Sequence, residues 1–170
     1  MDWRLFGSVF VTLIVIMDPA GIVPIFLALT HRRGAVQMRR LALQASLTAL
    51  GVIVGFALFG QAILGYLHVS LPALQASGGL LLLLVALDLL MGKANRISAS
   101  DEDANVALVP LGTPLIAGPG AIVAVMLFMQ QADDGMQLLA VALGVLAVHL
   151  VLYLAMRFST SIARFLGNSG

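Results

Sequence analysis

One carboxylate stands alone in a long apolar run. Between Leu5 and His31 the only charged residue is Asp18, and it opens the segment Met17-Asp18-Pro19-Ala20-Gly21-Ile22-Val23-Pro24. Pro19 and Pro24 lack a backbone N–H, and Gly21 loosens the chain between them, so a helix through this point loses part of its hydrogen-bond ladder. Asp followed by Pro is also a helix-start signal: the carboxylate caps, and the ring fits the first helical position. The segment therefore predicts two half-helices meeting at Asp18.

A second segment repeats the pattern one hundred residues later: Pro110-Leu111-Gly112-Thr113-Pro114-Leu115-Ile116-Ala117-Gly118-Pro119-Gly120-Ala121-Ile122. Here Gly118 is the expected cap and Pro119 the first residue of a half-helix. Under that offset Pro19 falls on Pro119, Ile22 on Ile122 and Val23 on Val123. Two proline-interrupted spans in corresponding places are the mark of an inverted repeat, with a binding site where the breaks meet. Each half-helix start carries unpaired N–H groups and about half a positive charge, which suits a small anion such as a carboxylate. Asp18 supplies the opposite chemistry, for an ammonium group, Na⁺ or a transported proton. The candidate substrate- or ion-binding residues are Asp18, Pro19, Gly21, Pro24, Pro114, Gly118, Pro119 and Gly120. Two readings of Asp18 stay open at this stage: a cap alone, or a cap that also binds.

These residues must be held by helices in a membrane. The 170 residues are 61% apolar and only 10% charged, with a mean hydropathy of +1.06. A soluble domain averages about 25% charged residues, and this chain has too few polar side chains to cover its own surface. Charge-free runs cover Leu41–Leu87, Ala104–Ala132 and Gly135–Met156. At about 20 residues per span the chain reads as five helices: 5–30, 42–66, 72–92, 106–130 and 136–156. Gly65-Tyr66-Leu67-His68-Val69-Ser70-Leu71-Pro72 marks the turn between the second and third. The fold class is all-α and polytopic. A first repeat of three spans occupies 1–92, a linker 93–105, and a second, incomplete repeat of two spans and a basic tail 106–170.

Orientation follows from Lys and Arg near the span ends. Arg32, Arg33, Arg39, Arg40, Lys93, Arg96, Arg157 and Arg164 fall on one side and Arg4 on the other. The N-terminus is then outside, the basic loops are cytoplasmic, and Asp133 and Asp134 lie in an outer loop. Arginines beside apolar spans are topology signals, so nucleic acid is not an expected partner. The first span lacks a basic n-region and reads as a retained helix. With no cysteine there is no disulfide or thiolate site.

Other polar residues in the spans have simpler roles. Asp88 belongs near the headgroups, and His149 reads as a hydrogen-bonded neutral imidazole, with a proton relay as the sharper alternative. Thr12, Thr48, Gln44, Gln61 and Gln75 read as interhelical hydrogen-bonding groups, and Gly51-x-x-x-Gly55 as a close helix contact. An enzyme is not expected. Ser77 with His149 lacks a nucleophile elbow, Asp18 and Asp88 differ too much in depth to share a proton, and the three histidines do not form a metal site.

These motifs resemble those of the MarC family of bacterial integral membrane proteins. The pattern Asp-Pro-x-Gly-x-x-Pro-x-Phe is met by Asp18, Pro19, Gly21, Pro24 and Phe26. Pro-Leu-x-x-Pro-Leu-x-x-Gly-Pro-Gly-x-Ile is met by Pro110, Leu111, Pro114, Leu115, Gly118, Pro119, Gly120 and Ile122. Gly78-Gly79-Leu80 and Ala86-Leu87-Asp88 are similar too. The resemblance implies six spans in a three-plus-three repeat, of which the sixth has no counterpart before Gly170. It also implies a multi-pass protein of the cytoplasmic (inner) membrane. Some relatives are described as transporters of small neutral amino acids, so the expected function is secondary transport of a small solute. No cofactor is expected, the coupling ion would be H⁺ or Na⁺, and a homo-oligomer is compatible. The alternative is a non-transporting structural or assembly membrane protein, or a truncated, inactive chain.

Overall fold

A computed structural model describes residues 2–30, 33–70, 72–74, 76, 77, 79, 80, 83, 87 and 116–161. All the regular structure among them is helical. Five helices have defined bounds, α1 (Trp3–Met17), α2 (Pro19–Thr30), α3 (Ala35–Tyr66), α4 (Pro119–Gln131) and α5 (Gly135–Arg157), and the described residues from 72 to 87 are helical as well. Most of the expected third span, the linker 93–105, the first part of the expected fourth span with Pro114, and Asp88 lie outside the described residues.

Among the described residues, three stretches are long and apolar enough to cross a bilayer: Trp3–Thr30, Ala35–Tyr66 and Gly135–Arg157. The helix Pro119–Gln131 is apolar but shorter. Each end is set by local chemistry. Asp2 Oδ1 accepts from the N–H groups of Arg4 (3.1 Å) and Leu5 (3.0 Å), starting α1. Asp134 accepts from Gln137 N–H at 2.7 Å, while Gln137 Oε1 reaches back to Asp133 N–H at 2.7 Å. That reciprocal cap starts α5.

The second helix begins at Ala35, seven residues before the expected 42. The charge-free run located the hydrocarbon boundary, whereas the helix continues through the interface with Arg39 and Arg40 on it. At 1.5 Å per residue its 32 residues extend about 48 Å, against about 30 Å of hydrocarbon. Exposed long arginine side chains tolerate this by reaching outward to water. The helix ends where the turn was expected. His68 adopts φ 54°, its N–H donates to Gly65 O at 3.2 Å, and Val69 N–H donates to Leu64 O at 3.0 Å. This is a Schellman closure.

Among these five helices α5 is central and packs against α1, α2, α3 and α4. It approaches α1 closely at Gly144, where an added Cβ would lie 2.7 Å from Val9 Cγ1. Helix α3 closes on α4 at Gly60, whose added Cβ would meet Met126 Cε and Sδ at 2.8 Å. Among the described residues the expected contact at Gly51 and Gly55 is not seen: an added Cβ at either meets none of them within 4 Å. The α3 stripe that packs inward is instead Ala42, Ala45, Ser46, Ala49 and Ile53, at helical spacing. Nor do Thr12, Thr48, Gln44 or Gln61 supply an interhelical hydrogen bond among the described residues; Gln75 lies outside them. That bond comes from Ser46, whose Oγ–H donates to the backbone O of His149 at 3.1 Å.

Candidate functional site

The first break is built from one residue serving two helices. Asp18 N–H donates to Ile14 O at 3.1 Å, the last rung of α1. Asp18 then turns into the left-handed region, φ 41° and ψ 74°, a conformation that Asp and Asn tolerate best among residues with a side chain. The turn brings its carboxylate over the start of α2. Oδ1 accepts from Gly21 N–H at 3.0 Å, and the Asp18 backbone O accepts from Ile22 N–H at 3.1 Å. Asp18 thus ends α1 and caps α2, with Pro19 at the first helical position. A usual N-cap residue is extended; the left-handed turn here lets one residue replace a longer connection.

Gly21 is required by that cap. A Cβ there would collide with Asp18 Oδ2. Pro24 sits inside α2, one turn beyond, and leaves the Ala20 carbonyl without its usual i+4 donor. Met17, Ile22, Val23 and Phe26 around the break are buried, whereas Asp18 itself is exposed on the protein surface of the described residues.

The second break starts differently. Gly118 is extended, φ −68° and ψ 165°, and gives α4 no side-chain cap. Its carbonyl accepts from Ala121 N–H (3.0 Å) and Ile122 N–H (3.1 Å). Pro119 is the first residue of α4, as expected. Among the described residues, the Gly120 amide has no hydrogen-bond partner. One helix start is therefore occupied by the chain's own carboxylate, and the other has no side-chain cap among the described residues.

Helix α1, which ends at the first break, packs against α4, which begins at the second. Met17 and Ile22 beside the first break, and Ile116, Ala117 and Ala121 beside the second, belong to one hydrophobic cluster. Of the sequence-predicted residues, Asp18, Pro19 and Gly21 form one constellation, with Pro24 a turn along α2. Gly118, Pro119 and Gly120 form the other. Pro114 lies outside the described residues.

Away from the breaks, a cavity of about 210 Å³ opens between α3 and α4, lined by Phe56, Ala57, Leu58, Gln61, Met126 and Met129. The spacing of residues pointed to the breaks and gave no sign of this space. Ser77, weighed as a nucleophile, donates its hydroxyl to Leu74 O at 2.9 Å. The polar contact that sequence reasoning missed is Ser46–His149; its signal was Ser46 lying in phase with Ala42, Ala45, Ala49 and Ile53.

The family model described as "MarC family integral membrane protein" matches residues 3–170. A UPF0056 membrane protein of Methanocaldococcus jannaschii is 35% identical over 176 residues, covering 100% of this chain and 86% of that protein. A UPF0056 membrane protein of Archaeoglobus fulgidus is 34% identical over 171 residues, covering 97% and 80% respectively. The UPF0056 membrane protein YvbG of Bacillus subtilis is 30% identical over 169 residues, covering 95% and 80%. No solved structure matches the chain.

Proposed function

Since this chain belongs to the MarC family of integral membrane proteins, we propose that it is a secondary transporter of a small zwitterionic solute, such as a neutral amino acid, bound between the two helix breaks. The observation that carries the reading is the pairing of unlike ends: a carboxylate at the start of α2 and an uncapped glycine start at α4. A zwitterion has the matching charges. Its ammonium group is drawn to Asp18, and its carboxylate to the N-terminus of α4, where the amide of Gly120 and the helix dipole both favour an anion. Ala20, Gly21, Gly118 and Gly120 add almost no side-chain bulk, so backbone groups can close on a small ligand.

Asp18 is an ionisable group placed halfway along a 28-residue apolar stretch. Such groups are energetically costly in a bilayer and are retained where a function needs them. In this reading the breaks belong to two inverted repeats, and the spans alternate in direction. The N-terminus faces outward, the basic loops face the cytoplasm, and the protein resides in the cytoplasmic membrane. The coupling ion is H⁺ or Na⁺.

The test is uptake of radiolabelled alanine and glycine into proteoliposomes, with and without proton and sodium gradients, by the wild type and Asp18→Asn. Asparagine keeps a capping oxygen and removes the charge. The reading expects saturable uptake by the wild type and at least a tenfold loss in the folded variant. Undiminished uptake by the variant reduces Asp18 to a cap, and no saturable flux in the wild type refutes the transporter reading.

A further inference from the structure

Helix α5, in contact with every other named helix, carries one imidazole whose hydrogen bonding is half complete. His149 is 3% exposed. Its Nδ1 lies 2.8 Å from Val145 O; a carbonyl only accepts, so Nδ1 carries the proton. Nε2 is then a bare acceptor. It is buried and has no hydrogen-bond partner among the described residues. Leaving a buried polar atom unsatisfied is destabilising, and a leucine at this apolar position would avoid that penalty. The ring is also fixed in place: Val145 O holds Nδ1–H, and Ser46 Oγ–H of α3 holds the His149 carbonyl.

We propose that His149 Nε2 is the proton-binding site that couples transport to a proton gradient. This rests on the transporter reading above. A proton from the aqueous phase on one side forms an N–H bond at Nε2 and makes the ring an imidazolium. Release to the other side restores the neutral ring. A proton needs no cavity at Nε2, only transient access by water. The Nδ1–H bond to Val145 leaves Nε2 as the one ring atom able to take it.

The surroundings of α5 hold little that already fixes the charge of this ring. Among the described residues, the ionisable groups of α1 and its cap are Asp2 and Arg4, followed by Asp18 at the break. Helices α2 and α4 have none. Helix α3 has Arg39, Arg40 and Tyr66, with Arg33 before its cap and His68 after it, and α5 with its cap and the preceding residue has Asp133, Asp134, Tyr153 and Arg157. None forms a hydrogen bond or ion pair with His149. The contact of Val9 with Gly144 sets the relative level of α1 and α5. With spans alternating as proposed, His149 is level with Ile14, and Asp18 lies four residues beyond, about 6 Å along the helix axis. Among the described residues Asp18 is then the nearest acidic residue in depth. An imidazolium at His149 draws its carboxylate from the Gly21 N–H, which links proton binding to loosening of the first break.

The test compares His149→Gln with the wild type in proteoliposomes. Glutamine keeps a polar side chain and cannot take a proton. Two fluxes are measured: uphill alanine uptake driven by an inward proton gradient, and alanine–alanine exchange at equal pH. The proposal expects uphill uptake to fall at least tenfold while exchange stays within twofold. Retention of uphill uptake, or equal loss of both fluxes in a folded variant, overturns it. Absence of exchange in the wild type refutes the transporter reading instead. A second measurement then decides on His149 by itself: ¹⁵N-histidine NMR in nanodiscs from pH 5 to 8, with the His149 signals identified by their loss in His149→Gln. Protonation of Nε2 within that range supports the site. An Nε2 that stays unprotonated throughout removes it.

Discussion

Replacing Gly144 by alanine tests the packing that positions both breaks. The substitution adds one methyl group at the crossing of α1 and α5. Built on the backbone, that Cβ lies 2.7 Å from Val9 Cγ1, 2.9 Å from Val9 Cβ and 3.5 Å from Phe6 O. Ordinary contact begins at 3.4 Å, so the helices must separate by several tenths of an ångström. Val9 cannot turn away, because its Cβ is itself too close and β-branched side chains are stiff at χ1. Overpacking of this kind costs about 1–3 kcal/mol. Intrinsic helix propensity acts the other way by about 1 kcal/mol in favour of alanine, so the net expectation is a loss of up to about 2 kcal/mol. SDS titration of the purified protein reads this as a lower unfolding midpoint. The double variant Val9→Ala/Gly144→Ala should recover most of the loss, since the added methyl then occupies the space vacated. Gly51→Ala and Gly55→Ala, where a Cβ meets nothing, should be neutral or stabilising. A neutral Gly144→Ala beside a damaging Gly51→Ala would refute the crossing.

Gly60→Ala should cost less than Gly144→Ala, under about 1 kcal/mol in the same titration, because its obstacle is the flexible end of Met126. Gly21→Ala should displace the Asp18 carboxylate and lose about 1 kcal/mol of cap stability, with alanine flux falling alongside. Asp134→Ala should remove the α5 cap and lower the SDS midpoint by an amount equivalent to about 1 kcal/mol. Reporter fusions at Gly34 and Asp133 should report cytoplasmic and external positions respectively; the opposite result reverses the orientation.

What could be read in the chain without coordinates was whatever local chemistry dictates. Asp18 with Pro19 encodes a cap and a first helical turn, and Gly118 with Pro119 encodes another, so both starts were legible residue by residue. The turn after Tyr66 was legible from Gly65 and its polar neighbours. The left-handed turn of Asp18 was not, because Asp-Pro suits an ordinary extended cap equally well. The start of α3 was missed because hydropathy reports where hydrocarbon ends, and a helix bearing Arg39 and Arg40 continues past that point. Which glycines make contacts was illegible for a different reason. Gly51-x-x-x-Gly55 has the right spacing but meets none of the described residues, whereas Gly60 and Gly144 are single glycines whose importance depends on Met126 and Val9 lying opposite. The unfilled Nε2 of His149 likewise depends on which atoms surround the ring, which no periodicity encodes.

The most direct test of a solute site between the breaks uses the absence of cysteine from the chain. Ala20→Cys and Gly120→Cys place one thiol at each break, and Asp133→Cys places one in the exposed connection between α4 and α5 as a control. Maleimide labelling rates are measured in proteoliposomes with and without saturating alanine. The account predicts that alanine slows labelling at least tenfold at both breaks and leaves the control unchanged. Equal rates with and without alanine, and with every other small zwitterion tried, would contradict it.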